Sequence, residues 1–295
     1  MFSVLLLEIY PLLGALRTRV GGPSTTNDIQ MKRPTRDPSW SPEVEVLYRH
    51  DMQEIWDQTI NPHIWNQYHN QLDLYLGLAG GADGERSKKI LDAGCAQGTL
   101  ALLLAERGHD VVALDLRPGF LEYAQSRYTH GRIRFVAGNA LECELDERFD
   151  LVFANQIVEH IIYPEQLIRG LKGLLNSKGK LVVTTPNWHY LRNSLPSFEE
   201  LGDASQFEHL QFTADGDGHF FAYKVAELEH IFANAGFEIV ERYVFESPFV
   251  SGHLKLRHLH RVVPLSALQA LDRVTLASPL ARYLAHQLMI VGKHI

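Results

Sequence analysis

From Lys89 onward the chain alternates short apolar runs with longer amphipathic stretches, and this alternation constrains its fold more than any other feature. Short apolar runs bounded by turn residues predict buried strands, whereas apolar residues at helical spacing predict helices. Strands that alternate with helices form parallel βαβ units with right-handed connections. The sequence therefore predicts an α/β protein in which helices flank a central, mostly parallel sheet.

The alternation assigns individual segments to strands and helices. The pattern predicts strands at residues 89–92, 110–115, 133–137, 149–154, 180–185 and 238–245. It predicts the main helices at residues 100–107, 120–128, 164–175 and 225–235. A last apolar run at residues 288–291 follows two predicted helices and is assigned to the same domain or to a small cap. In such sheets a ligand binds at the carboxyl ends of the strands, near the switch in strand order.

Composition and spacing divide the chain into four parts. Residues 1–42 are expected to form a flexible lead-in, because their second half is rich in Gly, Pro, Ser and Thr. Residues 43–80 carry apolar and aromatic side chains at helical spacing and predict N-terminal helices. Residues 81–247 are expected to form the ligand-binding domain, with an irregular acceptor-binding loop at 187–218. Residues 248–295 are expected to form C-terminal helices and a final strand.

The charge balance bears on the class of partner. A net charge of −7 and a pI near 6.1 argue against a broad nucleic-acid surface, which needs clustered Lys and Arg. A basic run at residues 255–261 is interpreted as the solvated face of a helix rather than as a phosphate-binding patch. The expected partner is a small-molecule acceptor, and the oligomeric state is left open.

Two features bear on the cellular compartment. The cysteines, Cys95 and Cys143, are too few for a disulfide framework or a cysteine-based zinc site, which fits a reducing compartment. The apolar opening at residues 1–7 is too short to span a bilayer and lacks the positive flank of a secretion signal. We therefore expect a cytoplasmic protein without a transmembrane segment, which starts at Met1 or at Met31.

A glycine-rich loop follows the first predicted strand, in the order Asp92-Ala93-Gly94-Cys95-Ala96-Gln97-Gly98. Glycine lets the backbone approach a ligand closely, and the start of a helix presents unpaired amides. Asp115 ends the second predicted strand, 21 positions after Gly94, where a carboxylate can bind both hydroxyls of a ribose. The loop alone also fits a nicotinamide dinucleotide, and Asp115 alone also fits a helix cap.

Four segments resemble, in the right order and spacing, the motifs of the class I S-adenosylmethionine (SAM)-dependent methyltransferases. They are residues 90–98, residues 111–115, residues 149–153 with Glu159-His160, and residues 179–187. The resemblance covers about residues 85–245 and implies a Rossmann-like methyltransferase fold with SAM as cofactor. The residues assigned to cofactor binding lie near the ends of the first four strands: Asp92, Gly94, Cys95, Ala96, Gln97, Gly98, Asp115, Leu116, Asn139, Ala140 and Asn155.

Two positions depart from this family's cofactor motifs. Ala96 stands where the family prefers Gly, and a methyl group is tolerated there unless the residue needs a positive φ. Asn139 stands near the position of an acidic residue that binds the adenine amine. Its amide oxygen still accepts a hydrogen bond, without a charge. Both departures change a detail of cofactor binding and leave the class unchanged.

The segment after the fourth strand resembles a Glu-x-x-Glu-His run found in two groups of methyltransferases. These are the ubiquinone-biosynthesis O-methyltransferases and the small-RNA 2′-O-methyltransferases, in which this run and a later histidine hold a divalent metal that stabilises an alkoxide. Here the run reads Gln156, Glu159 and His160, and His219 is the candidate for the later histidine. Gln156 replaces one carboxylate, which weakens affinity for a hard cation such as Mg²⁺. A helix would place the three residues of the run on adjoining parts of one face.

Three roles remain open for Glu159, His160 and His219. They are metal ligands in the first interpretation. In the second, the site is metal-free and His160 or His219 acts as general base, because histidine titrates near neutral pH. In the third, His160 caps a short helix and His219 is a hydrogen-bonded framework residue.

Aromatic and histidine residues in the N-terminal helices are candidates for a lid over the cofactor. An aromatic ring can contact the sulfonium of SAM, although a stripe at helical spacing equally fits a hydrophobic core. The candidates are Trp56, His63, Trp65, Tyr68 and His69.

The function predicted from these features is SAM-dependent methyl transfer to a small molecule, at a hydroxyl oxygen. Three alternatives stay open: a non-catalytic SAM-binding scaffold, a methyltransferase acting on RNA, and methyl transfer to a nitrogen or carbon atom. A nicotinamide-dependent oxidoreductase is disfavoured, because no Tyr-x-x-x-Lys pair follows the fourth strand.

Overall fold

Seven strands form one sheet in the computed structural model, which describes residues 29–80, 87–142, 144–211 and 219–295. The order of the strands across the sheet is β3-β2-β1-β4-β5-β7-β6. Their bounds are β1 Lys89–Ala93, β2 Asp110–Asp115, β3 Arg132–Ala137, β4 Phe149–Asn155, β5 Leu175–Pro186, β6 Phe237–Phe245 and β7 Gln287–His294. The strand order reverses between the neighbouring strands β1 and β4, because the chain crosses from β3 at one edge to β4 beside β1.

Strand direction confirms the predicted mostly parallel sheet and adds one exception. β1 to β5 pair in parallel, with Asp92 opposite Ala113 of β2 and Phe153 of β4. β7 is antiparallel to both of its neighbours, β5 and β6. The apolar run predicted near the end of the chain is therefore an inner strand of the sheet. An antiparallel strand at this place also distinguishes the fold from the all-parallel order of dinucleotide-binding domains.

Helices precede, connect and follow the strands. Their bounds are α1 Pro42–Asp51, α2 Pro62–Ala79, α3 Thr99–Glu106, α4 Pro118–Ser126, α5 Pro164–Gly173, α6 Val225–Asn234, α7 Pro248–Ser251, α8 Leu265–Leu276 and α9 Ala281–Leu284. A single π-helical turn, Met52–Trp56, continues α1. Short 3₁₀ helices occur at Val158–His160, Glu199–Leu201, Ala204–Leu210 and Leu256–Arg261.

Apolar side chains cover both faces of the sheet. In β1, Ile90 faces one cluster and Leu91 the other, and neither side chain is exposed to solvent. α2 and α3 cover the face of Ile90, whereas α5 and α6 cover the face of Leu91. Parallel strands buried on both faces carry near-continuous apolar runs, which is why the sequence pattern located them.

The observed bounds match the predicted segments closely, with one exception at the start of β5. The sequence predicted a helix to residue 175, but α5 ends at Gly173 and β5 begins at Leu175. Lys178 adopts a φ of 70°, and an added Cβ at Gly179 would lie 2.8 Å from the carbonyl oxygen of Phe149. The chain turns tightly beside β4 here, and the apolar pattern of the strand begins only after this turn.

The predicted flexible lead-in is packed in the part that the structure describes; residues 1–28 lie outside it. Met31 is buried, and the amide of Lys32 donates to the carbonyl of Arg127 at 2.8 Å. The Gly, Pro and Ser content of this segment indicates a flexible chain. Composition cannot reveal a tertiary contact of this kind, since the contact depends on residues far away in the sequence. None of the helices in the described residues has the length and apolarity needed to cross a membrane.

A buried ion pair fixes the N-terminal helices to the sheet domain. Asp51 at the end of α1 lies 2.9 Å from the guanidinium of Arg127, which follows α4, and neither side chain is exposed. The Asp51 carboxylate also accepts hydrogen bonds from the Tyr123 hydroxyl and the Trp56 indole, both at 2.7 Å. These partners replace the water that both charges lose on burial.

Removing one partner of this pair should be costly. We expect Arg127→Ala to lower the free energy of unfolding by about 3–5 kcal/mol, because it leaves the Asp51 charge buried and unpaired. The double variant Asp51→Asn with Arg127→Met should recover a large part of that loss. The control is Arg169→Ala, which removes an exposed pair and should cost less than about 1 kcal/mol. Urea unfolding measures all three, and equal losses for Arg127→Ala and the control would contradict the role of the buried pair.

Candidate active site

The glycine-rich loop joins β1 to α3 through three left-handed residues. Gly94, Ala96 and Gly98 have φ values of 75°, 46° and 73°. A Cβ added at Gly98 would lie 2.7 Å from the Cβ of Ala124, so the start of α3 packs directly on α4. Ala96 thus has the positive φ that disfavours a Cβ atom. A positive φ is the condition under which we expected the methyl group of Ala96 to be strained.

Four backbone amides of this loop donate to groups of the protein itself, whereas the expected free donors at the start of α3 stay a prediction. Gly94 and Cys95 donate to the carbonyl of Leu114 at 2.8 and 3.0 Å, and Gly98 donates to the carbonyl of Cys95 at 2.7 Å. Ala96 donates to the Asp115 carboxylate at 2.9 Å. Three of these four amides donate to residues of β2 and hold the loop against that strand, and the fourth closes a turn within the loop.

Asp115 lies at the carboxyl end of β2, directly beside the loop. Its carboxylate is buried and also accepts from the backbone amide of Arg117 at 3.0 Å. A carboxylate has about four acceptor positions, so Asp115 retains capacity for a ribose hydroxyl. Leu116, the next residue, is exposed at the same edge of the sheet. Asp92 at the end of β1 is buried, and burial raises the pKa of its carboxyl to about 7.

The remaining residues assigned to the cofactor occupy the same edge of the sheet, but their side chains have local partners. The amide oxygen of Asn139 accepts from the Leu141 amide at 3.0 Å. The amide oxygen of Asn155, at the end of β4, accepts from the Thr184 hydroxyl at 3.2 Å. Ala140 is half-buried. Cys95 is buried in the loop, where burial raises the pKa of its thiol, whereas Cys143 lies outside the described residues.

Gln97 connects the loop to the N-terminal helices, a connection that sequence reasoning missed. Its amide nitrogen donates to the carboxylate of Glu54 at 2.7 Å and contacts the hydroxyl of Tyr68 at 3.1 Å. Arg127 closes the same network by donating to the carbonyl of Gln97 at 2.7 Å and to the hydroxyl of Thr99 at 2.9 Å. No local pattern signals these pairs, because the partners are separated by 28 or more positions in the chain.

The aromatic residues proposed for a lid point in different directions. Trp56 and Tyr68 belong to the polar network beside the loop. Trp65 stacks on His69 with ring centroids 4.2 Å apart, and the ring of His63 lies 6.2 Å from that of His260 in the C-terminal part. A lid therefore stays a prediction, for which Trp56 and Tyr68 are the better placed candidates.

Glu159, His160 and His219 come together at the carboxyl ends of β4 and β5. One ligand atom from each residue lies within 4.8 Å of the others. The two imidazole rings meet edge to face with centroids 4.8 Å apart, and Nε2 of His219 lies 3.9 Å from Oε1 of Glu159. Thr185 donates to the other carboxylate oxygen at 3.0 Å, and the Phe220 amide donates to the Glu159 carbonyl at 3.1 Å. These contacts fix the chain after residue 218 to the end of β4.

The electrostatics of this cluster favour neutral side chains. Glu159 is fully buried, and burial raises the pKa of its carboxyl to about 8. Burial, and then the neighbouring His160, lower the pKa of His219 to about 4. At neutral pH the Glu159 carboxyl and the His219 imidazole are therefore uncharged, and the neutral imidazole is available as a ligand.

Gln156 lies beside the cluster without joining it in a helix. It adopts a φ of 51°, and the helical turn in this segment, Val158–His160, begins two residues after it. Gln156 therefore does not share a helical face with Glu159 and His160. The Gln156 amide contacts the Thr184 hydroxyl at 3.2 Å and the Gln287 side chain at 2.9 Å. With the amide oriented to satisfy both of its ends, its nitrogen donates to Glu159 at 3.3 Å.

A cavity of about 270 Å³ opens next to His219. The Tyr190 hydroxyl lies 2.7 Å from Nδ1 of His253, and the rings of His253 and His286 meet edge to face at 4.8 Å. The residues that line the cavity come from the end of β5, the loop after it and the C-terminal part: Pro186, Asn187, Tyr190, Arg192, Asn193, Ser194, Leu195, His219, His253, His286 and Gln287. No acidic residue is among them.

The loop predicted to bind the acceptor contributes to this cavity in its first part only. Asn187, Tyr190 and residues 192–195 line it, whereas Phe198 packs in the core against Phe221, with ring centroids 5.2 Å apart. Residues 212–218 of the predicted loop lie outside the described residues. The acceptor role of the loop stays a prediction.

The left-handed conformation of Ala96 generates a stability prediction. Ala96→Gly should raise the free energy of unfolding by about 0.5–1 kcal/mol, because relief of a strain of about 1–2 kcal/mol exceeds the extra entropy of glycine. The exposed helical residue Ala270 is the matched control, and Ala270→Gly should lower the same free energy by about 1 kcal/mol. A loss for Ala96→Gly in urea unfolding would contradict the strain.

Glu54 generates a prediction about pH. Burial, and then the neighbouring Asp51, raise the pKa of its carboxyl to about 7. A carboxyl with a raised pKa in the folded state favours folding at pH below about 4.5 and loses that contribution as pH rises to about 7. Glu54→Gln should therefore flatten the fall of the free energy of unfolding over this interval, by about 3 kcal/mol at its upper end. An unchanged pH profile in differential scanning calorimetry would contradict this.

Comparison with known proteins places the chain in a family. Residues 48–242, more than half of the chain, match the family described as "Methyltransferase domain". A ubiquinone biosynthesis O-methyltransferase from Pseudomonas fluorescens is 31% identical over 122 residues, 40% of this chain and 50% of that protein. A malonyl-[acyl-carrier protein] O-methyltransferase from Acetivibrio thermocellus is 32% identical over 105 residues, 35% and 37% of the two chains. The chain spans half or less of the length of these relatives.

Solved structures show the same fold. Magnesium protoporphyrin IX methyltransferase from Synechocystis, solved with bound SAH, superposes with a TM-score of 0.54 at 14% identity and covers 86% of this chain and 95% of its own. A SAM-dependent methyltransferase from Mesorhizobium loti gives a TM-score of 0.52 at 17% identity, with coverages of 78% and 98%. The sequence motifs, the order of the strands and these relatives agree, and the chain belongs to the class I SAM-dependent methyltransferases.

Proposed function

We propose that the protein transfers a methyl group from SAM to a hydroxyl oxygen of a small-molecule acceptor. The observation that carries this proposal is the meeting of Glu159, His160 and His219 at the mouth of the cavity lined by Tyr190 and His253. An acceptor in that cavity would present its reacting oxygen to three polar groups at the carboxyl edge of the sheet. Both curated relatives named above are O-methyltransferases by name, which supports oxygen as the accepting atom.

Residues of the β1–α3 loop and its neighbours fit SAM. Asp115 retains acceptor capacity for a ribose hydroxyl, and the exposed Leu116 offers an apolar surface for the adenine ring. The buried Asp92 lies behind the loop. SAM, when bound, supplies a methyl group that is already activated by the sulfonium. The chain therefore has to hold the acceptor oxygen in line with the methyl carbon and accept the hydroxyl proton.

A divalent cation would help to remove that proton. Two imidazoles and one carboxylate are a donor set that suits zinc, iron or manganese better than magnesium, which prefers oxygen ligands. The neutral state of His219 favours coordination, because a metal binds the unprotonated imidazole. The cation, when bound, stabilises the ionised form of a hydroxyl at neutral pH. Glu159, His160 and His219 would hold it, and Gln156 would orient the Glu159 carboxylate.

A metal-free base is disfavoured at His219 and at Glu159, which leaves His160 as the candidate for that role. With a pKa near 4, His219 holds a proton poorly at neutral pH and would be an inefficient general base. Glu159 has the opposite shift, but at neutral pH its carboxyl carries a proton and cannot accept another. Glu159 and His219 would both suit a cation when one is bound, because a metal ligand has to be an ionised carboxylate or a neutral imidazole.

Calorimetry tests the proposal. Titration of Mn²⁺ or Zn²⁺ into the SAM-bound protein should give a binding heat that Mg²⁺ gives weakly, together with release of a proton, because Glu159 must ionise. Glu159→Ala should weaken cation binding by about a hundredfold or more, since even outer-shell partners of a metal contribute 10–100-fold. Glu165→Ala, an exposed glutamate on α5, is the matched control and should leave the heat unchanged.

Calorimetry and assays of methyl transfer together distinguish the candidate functions. An equal heat for Glu159→Ala and the control would remove the metal interpretation. SAM binding without methyl transfer to any member of a panel of hydroxylated acceptors would favour the non-catalytic scaffold. Transfer to RNA, or to amine or carbon acceptors only, would overturn the assignment of a small-molecule hydroxyl. Absence of any affinity for SAM would contradict the function as a whole.

A further inference from the structure

The C-terminal part of the chain has a charge opposite to that of the rest. Residues 248–295 contain six Lys or Arg and one Asp, a charge of +5, whereas residues 1–247 carry −12. The single acid, Asp272, is buried and accepts a hydrogen bond from the Ser247 amide at 2.6 Å. The exposed side chains of this part therefore carry positive charge only.

Four of the basic residues in this part lie free at the surface. Lys255, Arg257, Arg261 and Arg273 are exposed, and none of them forms an ion pair with a carboxylate of the described residues. Some exposed cations elsewhere do pair with acids, as Arg169 does with Glu165 and Arg36 with Glu45. Unpaired charges of one sign attract a surface of the opposite sign.

The same stretch holds half of the large apolar side chains that are exposed in the described residues. Six of the twelve fall between residues 254 and 283, and Val262 and Val274 are 79% and 73% exposed. The six are Leu254, Val262, Leu271, Val274, Leu280 and Tyr283. We call these residues, together with Lys255, Arg257, Arg261 and Arg273, the C-terminal surface.

α8 shows how the apolar side chains are arranged. Leu268, Asp272 and Leu276 face the protein, whereas Leu271 and Val274, one helical turn apart, are exposed. The helix thus has an apolar stripe on its outer side, which a surface helix of a soluble domain ordinarily fills with polar residues. α8 packs against α7 and α9, so the elements that carry the C-terminal surface form one continuous layer.

The C-terminal surface borders the candidate acceptor cavity. His253 lines the cavity and directly precedes Leu254, and Leu254 and Lys255 both adopt the left-handed conformation, with φ values of 54° and 66°. Arg192 lines the cavity from the other chain segment, next to the exposed Leu191. The amide of Leu191 donates to the carbonyl of Tyr283 at 3.0 Å, which connects this edge to the C-terminal surface.

We propose that the C-terminal surface binds the face of an anionic lipid bilayer, and that the acceptor is an amphiphile that enters the cavity from that face. Interleaved basic and exposed apolar side chains are the pattern of a segment that lies in the headgroup region. The part of this inference that concerns the acceptor rests on the proposed function, whereas the part that concerns lipid binding does not.

A lipid surface fits these residues better than the two other anionic partners. A nucleic acid would neutralise the basic residues but would leave the apolar side chains in water. The core of a protein–protein interface is enriched in Arg but depleted of Lys, so it is Lys255, directly after Leu254, that argues against such an interface here. A bilayer accommodates both kinds of group, because its headgroups bind the cations and its acyl boundary takes the apolar side chains.

Co-sedimentation with vesicles tests the proposal. The full chain should bind vesicles of phosphatidylglycerol, bind phosphatidylcholine weakly, and dissociate from phosphatidylglycerol in about 1 M salt, where charges are screened within about 3 Å. Leu271→Asp with Val274→Asp should weaken binding by about tenfold or more, because the two apolar contacts are lost. Val46→Asp is the matched control, since Val46 is also an exposed helical valine, 50% exposed on α1, and should bind like the unchanged protein.

A second variant protects the test against a folding defect. Arg261→Glu changes an exposed residue and should weaken binding to phosphatidylglycerol by about tenfold, because each basic residue contributes about fivefold and reversal adds repulsion. Binding of SAM, measured by calorimetry, should be the same in all variants. Equal binding to both kinds of vesicle, or none to phosphatidylglycerol, would overturn the proposal.

Two further outcomes distinguish this inference from the proposed function. Self-association of the protein without vesicles, abolished by Val274→Asp in sedimentation velocity, would show that a second copy covers this surface and would overturn lipid binding. Loss of SAM affinity with intact vesicle binding would contradict the proposed function alone. Intact SAM affinity and methyl transfer without vesicle binding would contradict the further inference alone.

Discussion

The contacts of the Arg127 guanidinium hold together the elements around the β1–α3 loop. Fully buried, it binds the Asp51 carboxylate, the carbonyl of Gln97 and the hydroxyl of Thr99, and it lies 3.1 Å from the sulfur of Met31. One planar cation thereby holds together the N-terminal helices, the β1–α3 loop and the end of α4. The loop is held in place because three of its amides donate to β2 and because this cation binds the Gln97 carbonyl.

In the cluster of Glu159, His160 and His219, burial has a different effect from its effect at Arg127. Burial pushes Glu159 and His219 towards their neutral forms, by shifts of opposite direction, so the resting cluster costs little desolvation energy. A buried ion pair in place of these groups would carry the desolvation cost of two charges. The ionisation of Glu159 and His219 can therefore change when a ligand binds, whereas the charges of Asp51 and Arg127 already balance each other.

The sequence located the parts of the fold that depend on local pattern. β2 was predicted with its observed bounds, and the glycine-rich loop and Asp115 fell where the strand pattern put them, because buried parallel strands are nearly continuous apolar runs. It gave no sign of the pairing of Gln97 with Glu54 or of Asp51 with Arg127, since a long-range polar contact leaves no periodicity. It also left the conformation of Ala96 undecided, because φ is set by the turn and not by the residue alone. The cofactor, acceptor and metal roles of individual residues remain predictions.

The inner position of β7 governs when the sheet can be completed during synthesis. β6 pairs with no strand of the sheet except β7, and β7 is the last strand to be made. Until it is made, β5 has a bare hydrogen-bonding edge on that side, and β6 has no strand to pair with, although α6 can already pack against α5. An exposed strand edge invites pairing with other chains, so the nascent protein passes through an interval of vulnerability to misassembly. The half of the sheet built around β1 is free of that dependence and can form while translation continues.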